Sequence, residues 1–341
     1  MRATTEAERR HPAGGGSLAP RPLRVAADAI EIAGEIVRAG TRADLELRPA
    51  QLPSGGWMAI PVVVQRGAAP GPMVWLSAAI HGDEVCGVEI IRQVVRHVDP
   101  VRLAGTILAV PVVNVPGFAN GDRYMPDRRD LNRCFPGSER GSLASRFAHV
   151  FMSEIVERCD VGIDIHTGSD HRCNLPHIRA DLNDATTRTL ASAFAAPVAL
   201  HARVRDGSLR EAAVRNGITT LVFEGGEAWR FDERAIEVGV AGVLRVLAHL
   251  GMIEPSDDHG SGADPMFIRH SAWVRSPMSG VARVTVELGE VVAAKQPLAV
   301  IADAIGSRER VVRAPALAVV IGRSELPVVH RGDALVHLGH L

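Results

Sequence analysis

PMVWLSAAIHGDEVCGVEIIRQVVRHV, residues 72–98, changes its hydrophobic period halfway along. Residues 72–80 are an almost unbroken apolar run, the pattern of a strand buried on both faces. From 84 to 98 the apolar residues Val85, Val88, Ile91 and Val95 recur at helical spacing. The polar cluster His81-Gly82-Asp83-Glu84 sits at the switch from strand to helix. In an α/β sheet that is where ligands collect, at the carboxyl end of a strand.

The same pattern repeats outward from this stretch. TILAVPVVN (106–114), VGIDIH (161–166) and ITTLVFE (218–224) read as further buried strands, and WMAIPVVVQRG (57–67) as another strand. Residues 142–159 and 232–251 read as helices, with Ser142 as N-cap of the first and Gly251 near the C-cap of the second. Strand–helix alternation predicts an α/β fold with a mixed, mostly parallel sheet flanked by helices. Past Gly251 the pattern changes. EPSDDHGSGADP has linker composition, and the remainder is short β-like runs punctuated by glycine and proline. An internal echo, VRSP (274–277) with LGEV (288–291) and VRAP (312–315) with RGDA (331–334), predicts a small all-β sandwich of two related halves. The organisation is therefore a disordered, Gly- and Pro-rich tail over 1–22, a catalytic domain over 23–253, a linker over 254–266 and a β-domain over 267–341.

Composition excludes several classes. Of 341 residues, 46% are hydrophobic and 23% charged, with a formal net charge of −1, so there is no global field to attract nucleic acid. Aromatics make up 4%, too few for base-stacking platforms. No apolar run reaches the roughly 18 residues that a membrane helix requires. The four cysteines, Cys86, Cys134, Cys159 and Cys173, are not paired as CxxC, and the expected compartment is a reducing cytoplasm.

His81, His166 and Glu224 all stand where apolar strands end. A histidine and a glutamate three residues apart can converge on one cation, and His166 from a second strand end supplies a third donor. Three protein donors with an open position describe a catalytic zinc site. Asp83 is an alternative to Glu84, and Asp164 is read as orienting a ligand. His171 and His177 could line the pocket, but are read first as loop histidines at its rim. The loop NVPGFANGDRYMPDRRDLNRCFPG (114–137) carries Arg123, Arg128, Arg129 and Arg133. Asn132 and Arg133 are the pair expected to hold a substrate carboxylate, because guanidinium binds carboxylate through two parallel hydrogen bonds. Arg123 is expected to polarise the scissile carbonyl. Arg172, Arg179 and Arg210 are candidates for reading a second anionic group.

HGDE (81–84), GDRYMPDRRDLNRCFPG (121–137), DIHTG (164–168) and VFEGGE (222–227) together resemble the succinylglutamate desuccinylase/aspartoacylase family, a branch of the zinc carboxypeptidase-like superfamily. The resemblance implies one Zn2+ per chain on His81, Glu84 and His166. It implies Glu224 as the general base that activates the attacking water and protonates the leaving amine, with Glu227 in reserve. Asn132 and Arg133 would bind the substrate carboxylate, and Arg123 would match the carbonyl-polarising arginine. The implied activity is hydrolysis of an amide in a small carboxylate-bearing substrate such as an N-acyl amino acid. Cleavage of peptides or of a post-translational tail, and silent ligand binding on the same fold, are the competing readings. The C-terminal segment resembles biotinyl/lipoyl carrier domains without their hairpin lysine. Its expected roles are shaping the pocket entrance or building a homo-oligomer.

Overall fold

A computed structural model describes residues 29–256 and 262–341. The tail expected over 1–22 and the middle of the linker expected over 254–266 lie outside the described residues. In chain order, β1 (Ala29–Ile32) and β2 (Glu35–Arg38) form a hairpin, followed by β3 (Thr41–Gln51), β4 (Trp57–Arg66) and β5 (Ala69–Ala78). Next come α1 (Cys86–His97), β6 (Ala104–Val110), α2 (Val115–Asn120), α3 (Leu143–Glu154), β7 (Val161–Gly168) and β8 (Arg172–Ala180). The α/β half closes with α4 (Ala185–Phe194), β9 (Val198–His201), α5 (Leu209–Arg215), β10 (Thr219–Glu227) and α6 (Glu233–His249). The remaining elements are all strands: β11 (Met266–Ile268), β12 (Ser271–Arg275), β13 (Gly280–Val284), β14 (Val291–Val292), β15 (Pro297–Ala302), β16 (Glu309–Arg313), β17 (Ala318–Ser324), β18 (Val328–Val329) and β19 (Ala334–His340).

The expected mixed sheet flanked by helices is present. β6, β5, β7 and β10 run parallel at its centre. β4 and β3 extend it antiparallel on one side, and β8 joins β10 antiparallel on the other. One face buries α1, α4 and α6 through residues such as Ile90, Val94, Phe194, Val243 and Leu247. The other buries α3 and α5 through Phe147, Phe151, Leu209 and Ala213. Ser142 caps α3 by accepting a hydrogen bond from the Ser145 amide, and Gly251 adopts φ +69° just past α6, both as expected.

The segment 114–137 departs from the expected uninterrupted loop. Asn114 accepts from the Gly117 amide and a proline opens the next turn, so α2 forms there. A single turn of 3-10 helix, Leu131–Arg133, is capped by Asp130. The C-terminal strands make the expected sandwich around a core that includes Val292, Leu298, Ile301, Val320 and Leu338. One of its sheets, β16-β15-β13-β18, stands alone. The other is continuous with the catalytic sheet, because β17 pairs with β8 and the row continues to β19 and β12. Met266, at the end of the expected linker, already pairs with Val198 in β9. The internal echo holds for VRSP and VRAP but not for the partners expected of them: VRSP bonds RGDA of the other half, and VRAP bonds Lys295 and Gln296, outside LGEV. Ser276 exchanges backbone bonds with Gly332 and Asp333, both of 2.8 Å, as Ala314 does with Lys295 and Gln296, at 2.8 and 2.9 Å. Among the described residues no helix is long and apolar enough to cross a membrane.

The close pairing of β5 with β7 depends on one glycine. Trp75, fully buried, lies in register with Gly162, and a β-carbon there would come within 2.0 Å of the indole. Gly162→Ala must therefore displace a core tryptophan, at about 1–3 kcal/mol of overpacking or more. The expected result is a lower denaturant midpoint at unchanged m-value. An unchanged midpoint would contradict this packing.

Candidate metal centre and active-site pocket

β5 ends at Ala78, and Ala79 turns the chain with φ +47°, a left-handed conformation seldom adopted by residues other than glycine. Its carbonyl accepts from the Asn114 amide at 2.9 Å, which ties the turn to the strand end of β6. Gly82 then passes so close to Gly117 and Phe118 that a β-carbon would lie 2.1 Å from the Gly117 backbone. This tight crossing turns His81 and Glu84 inward, with 4% and 2% of their surfaces exposed. His166 arrives on β7, the strand beside β5, and is likewise buried.

The three side chains meet. His81 Nδ1 lies 2.8 Å from Glu84 Oε1, and His166 Nδ1 lies 2.8 Å from Glu84 Oε2. Each ring turns its other nitrogen to a second carboxylate: His166 Nε2 to Asp164 Oδ2 at 2.8 Å, and His81 Nε2 to Asp130 Oδ1 at 3.1 Å. Asp164 is itself held by the Ser77 hydroxyl at 2.7 Å. Glu84 also accepts from the Thr167 amide at 3.2 Å and from Arg123 Nη1 at 2.9 Å.

Burial would push the Glu84 carboxyl up, but the two imidazoles outweigh it and hold it well below the ordinary range. Burial would push both histidines down. Glu84 and Asp130 outweigh it at His81, and Asp164 and Glu84 do so at His166, so both are raised, His166 strongly. Burial works against ionisation of Asp130 as well, yet the bond to His81 brings it down to about 2.

This donor set fits a divalent cation. One ligand atom from each of His81, Glu84 and His166 lies within 4.8 Å of the others. Tetrahedral zinc with bonds of roughly 2.0–2.2 Å separates its donors by roughly 3.4 Å, within that span. Imidazoles backed by carboxylates through their second nitrogen are the usual arrangement of metal-ligating histidines. Asp83 is not in the group; its backbone carbonyl takes the Trp229 amide at 2.8 Å.

A cavity of about 380 Å³ opens on this cluster, a volume suited to a small molecule. Six arginines line it: Arg123, Arg133, Arg172, Arg179, Arg205 and Arg210. Asn132 and Arg133 are both at its wall. The Asn132 side-chain oxygen is committed to the Leu209 amide at 2.9 Å, and Arg133 donates to the Asn132 carbonyl. Arg123 is drawn to Glu84 and, at 3.7 Å, to Asp130. Glu224 faces the cavity from β10, in register with His166 on β7. Its Oε2 accepts from Asn174 Nδ2 at 3.1 Å, and its Oε1 lies 3.4 Å from Arg179 Nη1.

Other expectations sort by place. Arg172, Arg179 and Arg210 do line the pocket. Arg210 is 8% exposed, and burial together with Arg179 and Arg205 brings its pKa down to about 10. Glu227 pairs with Arg230 at 2.6 Å beside a separate, smaller cavity, and His171 lines that second cavity too. His177 is not a rim residue. It is 2% exposed in β8, its Nδ1 bonds the Leu175 carbonyl at 2.7 Å, and burial pushes its pKa below the ordinary imidazole value. Sequence reasoning missed Asn174, Arg205 and Ser208, and the β-domain residues Ser271, Trp273 and His337 that also reach the pocket.

Known proteins are similar to this chain in sequence and fold. The succinylglutamate desuccinylase/aspartoacylase catalytic domain matches residues 70–250, more than half of the chain. An N-alpha-acetyl-L-2,4-diaminobutyric acid deacetylase of Halomonas elongata is 30% identical over 261 residues, covering 73% of this chain and 75% of its own length. A succinylglutamate desuccinylase of Burkholderia orbicola is 32% identical over 152 residues, 39% of this chain and 44% of that one. A crystal structure of a succinylglutamate desuccinylase/aspartoacylase from Rhodobacter sphaeroides superposes with a TM-score of 0.79 at 28% identity, covering 93% of this chain and 98% of the other. The product-bound ectoine utilization protein EutE from Ruegeria pomeroyi has the same fold, with a TM-score of 0.78 at 24% identity over 88% of this chain and 95% of its own. With strand-end histidines, a shared glutamate and an arginine-lined pocket on a matching fold and sequence, the chain belongs to the succinylglutamate desuccinylase/aspartoacylase family.

Proposed function

We propose that the chain is a zinc-dependent deacylase that hydrolyses the amide of a small N-acyl amino acid, with one Zn2+ on His81, Glu84 and His166. The observation that carries this reading is the Glu84 carboxylate bridging two imidazoles, each backed by an aspartate, at the floor of an arginine-lined pocket. The similarity to a deacetylase and a desuccinylase supports it. Held by these residues, a zinc ion would supply the Lewis acidity that acidifies a water and polarises a carbonyl.

The chain's own residues supply the rest. Glu224 takes the proton of the attacking water and passes it to the departing amine nitrogen. Its register with His166 supports this role, since neighbouring residues on paired parallel strands project to the same face. Arg133 and the free amide N–H groups of Asn132 hold the substrate carboxylate, fixing the carbonyl over the metal ligands. Arg123 already touches a ligand carboxylate, so its guanidinium is close to where negative charge develops on the carbonyl oxygen. Asp164 fixes the tautomer and ring orientation of His166.

Asp164→Asn should weaken zinc affinity about 10- to 100-fold in a chelator competition; affinity equal to wild type would detach Asp164 from the metal site. Glu224→Gln should keep full zinc occupancy and lose about 10²–10⁴ in kcat, whereas retained turnover would remove Glu224 from the reaction. In a liberated-amine assay over N-acetyl and N-succinyl amino acids, their C-terminal amides and dipeptides, the free-carboxylate N-acyl compounds should be preferred. Arg133→Ala should erase most of the preference for carboxylate over amide, a factor of roughly 10–100. Preference for dipeptides would favour a carboxypeptidase instead.

A further inference from the structure

Three neighbouring strands beside Glu224 are irregular at the same level. Between β10 and β7 the register moves from Glu224↔His166 to Glu227↔Gly168. Between β10 and β8 it moves from Glu224↔His177 to Gly226↔Asn174, so β8 carries an extra residue. Between β17 and β19 it moves from Val320↔Leu338 to Gly322↔His337, so β17 carries one as well. A bulge re-aims side chains, because it breaks the strict alternation of faces. On β8 the consequence is specific. Asn174 and His177, three apart, both face the pocket. Leu175 turns the other way, into an apolar cluster with Leu200, Ile268, Val319 and Ile321. A regular β8 would place Leu175 on the pocket face and turn Asn174 away from Glu224.

The row then runs unbroken into the β-domain: Gly226↔Asn174↔Gly322↔His337↔Trp273. Gly322 is the gap in it. A β-carbon at Gly322 would lie 2.9 Å from Asn174 Oδ1, with its next neighbours, His337 Cβ and the Cys173 carbonyl, at 3.4 and 3.6 Å. The atom that would have to move is the tip of the Asn174 side chain, the same group whose Nδ2 donates to Glu224 Oε2.

We propose that Asn174 is a positioning residue that fixes the orientation of the Glu224 carboxylate, and that Gly322 of the β-domain is the seat that lets it do so. The proposal rests on the reading of Glu224 as the base. Asn174 touches Glu224 and needs no contact with substrate. A free glutamate side chain samples many rotamers, and a donor on one oxygen leaves the other presented in one direction. Arg179 lies on the second oxygen at a longer distance, 3.4 Å. By this route the β-domain supports turnover through packing against one asparagine.

The test uses the full-length zinc-loaded protein and the best N-acetyl amino acid of the amine-release panel. Asn174→Ala and Gly322→Ala should each lower kcat about tenfold to a hundredfold, the scale of a misplacement near 1 Å. KM, zinc content and melting temperature should stay close to wild type. Asn174→Asp keeps the shape, removes the donor and sets a carboxylate beside Glu224. It should therefore move the acidic limb of the kcat–pH profile to higher pH, a shift that loss of structure alone does not produce. Should Asn174→Ala fail to fold, Gly322→Ala and Asn174→Asp carry the test. Wild-type kcat in folded Gly322→Ala, together with an unmoved acidic limb in Asn174→Asp, would overturn the proposal. If those variants match wild type while Glu224→Gln is inactive, only the positioning role falls; if Glu224→Gln is itself active, the base assignment falls first.

Discussion

One carboxylate organises the centre of this protein. Glu84 meets His81 with one oxygen and His166 with the other, and also takes the Thr167 amide and Arg123. A buried carboxylate is costly unless compensated, and here two rings, a backbone amide and a guanidinium compensate it. The requirement reaches outward. His81 must stand between a left-handed alanine at the end of β5 and a glycine packed against α2. His166 must lie on the adjacent strand, with Asp164 and Ser77 behind it. The parallel strands β5 and β7 bring these segments together, and the Trp75–Gly162 contact sets how closely they approach.

Around this cluster the electrostatics divide into two zones. The floor carries Glu84, Asp130 and Asp164, which raise the proton affinity of both histidines; the same negative charge suits a divalent cation. The walls carry arginines whose mutual repulsion is only partly relieved. Arg205 is lowered first by Arg179, then by burial and Arg133. Such a pocket favours an anionic ligand whose uncharged amide is delivered to the floor, the distribution expected for an N-acyl amino acid.

Much of the floor was legible in sequence because it lies where local patterns end. Apolar runs stop at His81, His166 and Glu224, although β7 and β10 continue to Gly168 and Glu227, and strand ends collect ligands in such sheets. The helix within 114–137 was legible too, through Asn114 as a cap followed by a proline, but the density of turn residues obscured it. Asn174 and His177 could not be placed, because a bulge on β8 reverses the face of one relative to the other and leaves no periodic trace. Ser271, Trp273 and His337 belong to a segment that reads as a separate β-domain. Its entry into the pocket depends on β17 pairing with β8, a long-range choice that no local window encodes. The two histidines differ for the same reason: His171 follows a turn and packs on Trp229, whereas His177 is locked into the sheet.

The central claim is that Glu84 and two imidazoles converge on a single metal ion. X-ray absorption at the zinc edge of the purified full-length protein reads that convergence directly. The expected first shell is nitrogen and oxygen only, about four donors at roughly 2.0–2.1 Å with outer-shell scattering from two imidazoles. A sulfur-containing shell, or a six-oxygen shell without imidazole scattering, would contradict it.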